Sequence, residues 1–411
     1  MKIVLLNDFG SVRGGADQVA LSEAAGLARR GHAVTALFAV GPVDPGLGSI
    51  PGLAVECLGK SDILQDPSRF RAMRVGLWDR AAADWVERTL QLHDPSTTIV
   101  HIHSWTKALS ASVFQRLRRR GFNPVITVHD FFLACPNGTF HHHPENVVCR
   151  LAPLGWKCMG TQCDRRSYAH KLWRVARQVG QSWAGGVPKN IRHFITLSEA
   201  SEAVIRPFLP AAAHCHRVTN PVPVSRQPRV DAAGNRQITF VGRLTGEKGV
   251  LDLAQASRSR TWPSDWRWLL AGDGELKGRL QREYPEIRLT GWLERDAVNA
   301  CLSAARVLVF PSVWHETFGL TIAEALARGV PVIVSDSCAG RELVQHGVTG
   351  GHFRGGNVES LVEALEAVRS DAVVDQWSRA AHATYWERPM DLERHLTELE
   401  AVYARILSVG G

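Results

Sequence analysis

Val309-Phe310-Pro311-Ser312-Val313-Trp314-His315-Glu316-Thr317-Phe318-Gly319-Leu320-Thr321-Ile322-Ala323-Glu324-Ala325-Leu326-Ala327-Arg328-Gly329-Val330-Pro331-Val332-Ile333-Val334-Ser335-Asp336 reads as strand, loop, helix and strand. Val307 to Phe310 is a short apolar run ended by Pro311-Ser312, the pattern of a parallel strand buried on both faces. Leu320, Ala323, Ala325 and Leu326 give a helical face, and Gly329 stands where a helix C-terminus wants glycine. Pro331 to Ser335 is the next strand. The stretch is therefore one βαβ unit, whose ligands bind where strands end and helices begin.

Two carboxylates make the unit chemical. Glu316 falls in the loop and Glu324 in the first turns of the helix, with seven residues between them. Thr317-Phe318-Gly319 brings unpaired backbone N–H groups to the helix N-terminus, an anion site with the positive end of the helix dipole behind it. Gly319 lets the backbone approach a ligand closely. An anion cradle beside two hydrogen-bond-accepting carboxylates suits a molecule that carries phosphate and hydroxyls together, such as a nucleotide sugar. The competing reading is a solvated helix start, since acids are favoured in a first turn.

Working outward, Ile238-Thr239-Phe240-Val241 is a strand that runs into Gly242-Arg243-Leu244-Thr245-Gly246-Glu247-Lys248-Gly249. It places Arg243 and Lys248 at the same sheet edge as the glutamate loop, where two fixed cations can neutralise a diphosphate. Trp268 to Ala271 followed by Gly272-Asp273-Gly274 is the next strand and glycine turn. Neither loop is a familiar nucleotide motif. Glu247 occupies the second glycine position of a P-loop, and Gly278 falls one residue too far for a G-x-G-x-x-G fingerprint. At the other end of the chain, Ile3 to Leu6 is a strand. It leads into Phe9-Gly10-Ser11-Val12-Arg13-Gly14-Gly15-Ala16-Asp17 and a helix closed by Gly31. The Gly14-Gly15 pair is an anion-binding or close-approach loop, or a plain turn. Val125 to Val128 delivers His129-Asp130 to a strand end, a place for ligands although a histidine there is often structural.

The 411 residues, 45% of them hydrophobic, imply two α/β domains of ordinary size. The polar, Pro-containing stretch from Asn220 to Arg236 marks the linker. The expected domains are 1–222 and 223–411, with the last helix able to pack back on the first. No run approaches the roughly 18 apolar residues of a membrane span, and Met1 to Asp8 looks like a strand rather than a signal peptide. The expectation is a cytoplasmic protein. The net charge of +8 is uneven. Residues 1–220 hold 26 Lys and Arg against 16 Asp and Glu, and residues 221–411 hold 22 against 24. The basic half could meet an anionic membrane, an anionic lipid-linked substrate or nucleic acid.

Residues 131–165 break the α/β rhythm with Cys135, Cys149, Cys158 and Cys163, together with His141-His142-His143. In a reducing compartment, clustered cysteines suggest a metal more than disulfides. The expectation is one structural zinc on the four thiolates, with a histidine able to replace one. The loose spacing leaves unbonded thiols, a disulfide or an iron–sulfur site open.

In combination these motifs resemble the retaining glycosyltransferases of family 4, with a GT-B fold. The matching pieces are Gly14-Gly15, His129, Asn220-Pro221-Val222, Gly242-Arg243-Leu244 with Glu247-Lys248-Gly249, Gly272-Asp273-Gly274, and the E-x7-E pair Glu316 and Glu324. The resemblance implies two facing Rossmann-like domains with a nucleotide-diphospho-sugar in the cleft between them. It also implies transfer of the sugar to a glycan or lipid-linked acceptor in cell-surface polysaccharide or glycoconjugate synthesis. Arg243 and Lys248 resemble the family's diphosphate clamp, Glu316 the contact to donor-sugar hydroxyls, and Glu324 the contact to ribose hydroxyls. Gly242, Gly319, Leu320 and Thr321 match backbone near the donor, His129 a histidine near the donor sugar, and Gly14-Gly15 a loop that closes on the phosphates. The cysteine-rich insertion resembles one found in some members, on the acceptor side. No D-x-D occurs in the chain, so the expected chemistry needs no catalytic cofactor and no metal at the donor site. The rivals are a nucleotide-sugar epimerase of the same fold and a basic nucleic-acid-binding protein. The second leaves the glutamate pair unexplained.

Overall fold

The computed structural model describes residues 1–259 and 262–409. The ends of the expected domains are thus covered except for residues 410 and 411, which lie outside the described residues. The chain forms two compact units. The first comprises Met1–Phe140, Arg150–Pro221 and the segment from Leu392 onward, and the second His141–Cys149 and Val222–Asp391.

The first unit is built on a seven-stranded parallel sheet. Its strands are β1 (Lys2–Phe9), β2 (Ala33–Val40), β3 (Leu53–Cys57), β4 (Thr98–Ile102), β5 (Val125–Thr127), β8 (His193–Thr196) and β9 (His214–Arg217). They lie in the order β3-β2-β1-β4-β5-β8-β9. The reason is visible in β1, where Ile3 and Leu5 point into one hydrophobic core and Val4 and Leu6 into another. With a side-chain period of two and both faces covered, every position after Lys2 is apolar or satisfied internally. One core is closed by the last helix, Leu392–Val409, through Leu396, Leu399, Tyr403 and Ile406. Those residues recur at helical spacing, so one stripe of the helix faces the sheet.

The second unit repeats the plan with six parallel strands: β10 (Gln237–Val241), β11 (Arg267–Ala271), β12 (Arg288–Leu289), β13 (Ala305–Phe310), β14 (Val332–Ser335) and β15 (Gly350–Phe353). Their order is β12-β11-β10-β13-β14-β15. β13 and β14 are buried throughout, the apolar run Val307–Phe310 included, and the one charged residue of β13, Arg306, is paired with the Val368 carbonyl and Asp371. In both sheets the chain winds outward one way and then the other. The reversal lies between β1 and β4 in the first unit and between β10 and β13 in the second, the points where open α/β sheets leave a crevice at their carboxyl ends. Each unit, taken by itself, is Rossmann-like.

The insertion at 131–165 departs from its expected form. Residues 141–149, a two-stranded hairpin of β6 (His141–His142) and β7 (Val147–Val148), belong to the second unit, while the flanking segments belong to the first. Cys149 thereby belongs to a different unit from Cys135, Cys158 and Cys163, and among the described residues no disulfide joins any of the four. Among the described residues, no group of the four sulfurs converges to metal-ligand distances. The geometry gives no support to the zinc site expected on these cysteines. A buried ammonium occupies the position instead: Lys171 Nζ donates to Cys163 Sγ at 3.2 Å and to Cys158 Sγ at 3.4 Å, and Asn137 Nδ2 donates to Cys163 Sγ at 3.1 Å. A fixed positive charge there opposes a second cation. Burial pushes the Cys163 thiol up, with Lys171 pulling the other way. The staple is organic. Helix Tyr168–Gly180 and the turn after it send Arg174 to Asp164 at 2.7 Å, Gln178 to the Leu133 carbonyl at 3.2 Å and Gln181 to the Phe132 carbonyl at 2.8 Å.

Candidate active site

In the second unit the candidate residues hang from the ends of β10 and β13. After β10 the chain passes Gly242 and Arg243 and makes a single tight turn at Gly246–Lys248. Val313 N donates to the Glu247 carbonyl at 2.9 Å, which ties that turn to the loop after β13. Gly249 makes the approach possible. Its φ is +65°, and a Cβ there would stand 2.0 Å from the Pro311 carbonyl oxygen. No residue with a side chain fits.

The tie aims Lys248 at Glu316. Its Nζ donates to Oε1 at 2.8 Å and to Oε2 at 2.6 Å, and both side chains are largely buried, 12% and 18% exposed. Trp314 Nε1 donates to Oε2 at 3.0 Å and Ser312 Oγ at 3.2 Å. Burial by itself would raise the Glu316 carboxyl, but the Lys248 charge and these hydrogen bonds outweigh it and hold the group below its ordinary value. An ammonium has three donors, so Lys248 keeps one after serving both carboxylate oxygens. It also lies 5.3 Å from the Trp314 ring centroid, a cation–π distance.

Arg243 is placed differently. It is 57% exposed and reaches the buried Glu247 at 3.7 Å, and His143 of the hairpin stands 3.9 Å from the other oxygen of the same carboxylate. The two expected cations therefore flank one loop with different partners. Gly319 caps helix Leu320–Ala327 with φ +125°, outside the range of ordinary residues, and Leu320 and Thr321 form the first turn behind it. Glu324 lies one turn further. Burial raises its carboxyl, with Arg328 and Arg295 pulling down.

In the first unit, Gly14 is the extended N-cap of helix Gly15–Arg29 and Gly15 its first residue. The loop before it is fastened by Asp17, which accepts from Asn7 Nδ2 at 3.0 Å and from the Arg13 backbone at 3.2 Å. Asp8, at the end of β1, accepts from the backbone N–H groups of Lys107, Ala108 and Leu109, each at 2.9 Å. It thereby holds the segment that follows β4. His129 lies two residues beyond β5 and its Nε2 is 3.0 Å from His103 Nδ1. Burial, reinforced by the neighbouring His103, drives His129 well below the ordinary imidazole value, so it is neutral at pH 7. Burial pushes the adjacent Asp130 carboxyl up to about 6, partly opposed by the hydrogen bond from the Phe132 N–H. Beside this edge lies a cavity of about 300 Å³, walled by Leu64, Met73, Phe132 and Trp173 and bordered by Lys107 and Arg177.

Sequence reasoning did not pick out Ser312 and Trp314 as the partners of Glu316, or His103 as the partner of His129. The signals were present. Trp314 lies two residues before the glutamate, and His101-Ile102-His103 sets two imidazoles two residues apart at the end of β4.

Two family profiles cover most of the chain. The one described as "Glycosyltransferase Family 4" matches residues 13–226, more than half of the chain, and "Glycosyl transferases group 1" matches residues 235–371. A glycogen synthase of Mycobacterium tuberculosis is 28% identical over 305 residues, 68% of this chain and 70% of that protein. An Escherichia coli UDP-Gal:alpha-D-GlcNAc-diphosphoundecaprenol alpha-1,3-galactosyltransferase is 32% identical over 151 residues, 34% of this chain and 38% of that protein. Among solved structures, Anabaena Alr3699/HepE in complex with UDP and glucose superposes with a TM-score of 0.69 at 16% identity, covering 98% of this chain and 100% of that one. That likeness is one of fold. The matched profiles, the paired parallel sheets and the carboxylate-bearing strand ends agree: this chain belongs to Glycosyltransferase Family 4 and is a glycosyltransferase of GT-B fold.

Proposed function

We propose that the protein transfers a sugar, with retention at the anomeric carbon, from a nucleotide-diphospho-sugar to a lipid-linked phosphate-bearing acceptor in cell-surface glycoconjugate synthesis. The observation that carries this reading is the Lys248–Glu316 pair at the start of helix Leu320–Ala327. It sets a cation, a carboxylate and a helix N-terminus at one sheet edge. Glu316 accepts from hydroxyls of the donor sugar and Glu324 from those of the ribose. Arg243, the remaining donor of Lys248 and the backbone at Gly319, Leu320 and Thr321 meet the diphosphate.

The C1–O bond to the diphosphate breaks and a C1–O bond to the acceptor hydroxyl forms on the same face. The acceptor proton passes to the departing phosphate oxygen. Charge that develops on the leaving group is met by Arg243, Lys248 and the helix dipole, and no divalent metal is required at the donor site. The basic, apolar-walled cavity near Lys107 supports an acceptor that combines hydrocarbon with phosphate, the chemistry named for the Escherichia coli relative. The excess of Lys and Arg in residues 1–220, with exposed apolar side chains such as Phe70, Trp156 and Trp183, supports contact with an anionic membrane surface. No helix of the described residues is long and apolar enough to cross a membrane.

The test is a thermal-shift screen over nucleotide sugars, followed by transfer assays with the stabilising donor in the presence and absence of EDTA. One donor should raise Tm, because it binds the folded state alone. It should also be consumed only when acceptor is present. Turnover without acceptor would point to an epimerase, and loss of turnover in EDTA would refute the metal-free donor site.

A further inference from the structure

Helix Tyr168–Gly180 and the wide π-type turn that continues it, Gln181–Gly185, carry their polarity the wrong way round. A surface helix ordinarily buries an apolar stripe and shows its charges to water. Here Lys171, Arg177, Gln178 and Gln181 are buried, with Val175 the one large apolar side chain among them. Arg177 is satisfied by the carbonyls of Thr106 at 3.4 Å and Pro136 at 3.3 Å. The exposed positions are Tyr168, Ala169, Leu172, Ala176, Val179 and Trp183, all of them aliphatic or aromatic. Tyr168, Leu172 and Val179 are 41–46% exposed and Trp183 is 88% exposed. At about 3.6 residues per turn, positions 168, 172, 176 and 179 fall within roughly 80° of one another. Four residues further on, in either α or π winding, the chain returns Trp183 to the same side. The result is an outward apolar stripe about 22 Å long.

The ends of the stripe are aromatic and basic. Tyr168 OH donates to the Met159 carbonyl at 2.9 Å, which ties the short helix Trp156–Gly160 to its start. Trp156 there is 78% exposed, with Lys157 Nζ 5.4 Å from its ring centroid. Lys157, Arg165 and Arg166 are exposed at this end, and Lys189 and Arg192 are exposed beyond Trp183. Residues 150–192 hold nine Lys and Arg against one acid, Asp164, a balance of +8 that equals the net charge of the whole chain. Asp164 is buried against Arg174, so no carboxylate of the segment reaches solvent.

We infer that this stripe is the docking face for an anionic membrane, with the helix lying in the plane of the interface and Trp156 and Trp183 at headgroup depth. The inference rests on the membrane contact proposed above and names the surface that makes it. Hydrocarbon takes up the apolar side chains, tryptophan favours the headgroup boundary, and the flanking cations meet anionic lipid. The inverted polarity fits such a setting, since the polar side of the helix is satisfied by the protein and the apolar side by lipid. A second copy of this chain fits less well, because it would set the same excess of positive charge against itself. Ala169 of the stripe also borders the cavity walled by Phe132 and Trp173, so a lipid-linked acceptor standing in the docked membrane would enter beside the helix.

The experiment is sedimentation of the full-length protein with vesicles of phosphatidylcholine, with and without phosphatidylglycerol. The wild type should bind the anionic vesicles. Leu172→Gln/Val179→Gln should weaken that binding about tenfold, the size of two half-exposed side chains no longer entering hydrocarbon. Both positions face water, so Tm should not change. Leu92→Gln, at a 79% exposed position ahead of β4, should bind as the wild type does. Brominated phosphatidylcholine should quench a tryptophan component that is missing in Trp183→Phe. Undiminished binding by the double variant would overturn the stripe and leave membrane contact to another face. Equal binding to both vesicle types would remove the part given to the cations. A dimer in analytical ultracentrifugation that the double variant returns to monomer would assign the stripe to a second copy instead. The transfer reading fails separately: a wild type that no nucleotide sugar stabilises would sink it while the docking result stood.

Discussion

Glu316→Gln separates chemistry from stability at the centre of the donor site. The substitution keeps the shape of the side chain and one oxygen that Trp314, Ser312 and Lys248 can still reach at their present 2.6–3.2 Å. What it removes is the charge, and it turns an amide N–H₂ toward the Lys248 ammonium. A hydrogen bond to a charged group contributes about 1.5–3 kcal/mol and a neutral one about 0.5–1.5. Two Lys248 contacts weakened in a site that is 12–18% exposed thus cost about 2 kcal/mol. That lowers Tm by roughly 4–8 °C for a unit of this size. Transfer should fall further, by about 10²–10³ in kcat, the effect of losing one preorganised polar contact in the transition state. The stability loss has a sign in pH. Because Glu316 is held below its ordinary 4.5, its stabilising contribution is full at neutral pH and disappears as pH falls through the folded-state value. The wild type and Glu316→Gln should therefore converge in Tm well below pH 4.5. Calorimetry from pH 3 to 8, with transfer assays at pH 7, reads both effects. Wild-type kcat in the variant, or a Tm gap that persists unchanged at pH 3, would refute the reasoning. Glu316→Ala is the poorer probe, since it strands the largely buried Lys248 charge at a cost of about 3 kcal/mol or more.

Arg243→Ala should leave stability within about 0.5 kcal/mol, as its side chain is exposed and only 3.7 Å from Glu247, while raising the donor KM. An unchanged KM in steady-state kinetics would remove Arg243 from the diphosphate site. Leu396→Ala should cost about 2–5 kcal/mol by chemical denaturation, because the last helix seals one core of the first unit through this fully buried side chain. Asp130 is raised to about 6, so the folded state holds its proton more tightly than the unfolded chain, and that advantage is lost as pH rises toward and past 6. Asp130→Asn should consequently be more stable than wild type by about 1–3 kcal/mol at pH 8 and equal to it near pH 3. Vesicles with anionic lipid should sediment the protein and blue-shift the emission of Trp183, which is 88% exposed, with both effects fading as salt rises. Equal response to neutral vesicles would count against an electrostatic membrane contact.

By itself the sequence determined the architecture and the donor-side loop. Apolar runs such as Val307 to Phe310, punctuated by glycine, can be satisfied only as strands buried on both faces, and Glu316, Gly319 and Glu324 take their places from local helix and loop geometry. These are short-range facts, fixed by periods of two and 3.6 residues. Partner choice was decided only in three dimensions. Whether Lys248 would meet Glu316, 68 positions away, depended on the backbone tie between Val313 and Glu247. Spacing likewise grouped four cysteines that the fold divides, because Cys149 travels with the hairpin of the second unit and Lys171 fills the place of a cation among the others. The contact between Glu23 and His395 joins residues 372 positions apart. No local pattern encodes that distance: a helix at the end of the chain returned to the first sheet, and the buried carboxylate of Glu23 took its partners from whichever elements packing brought beside it.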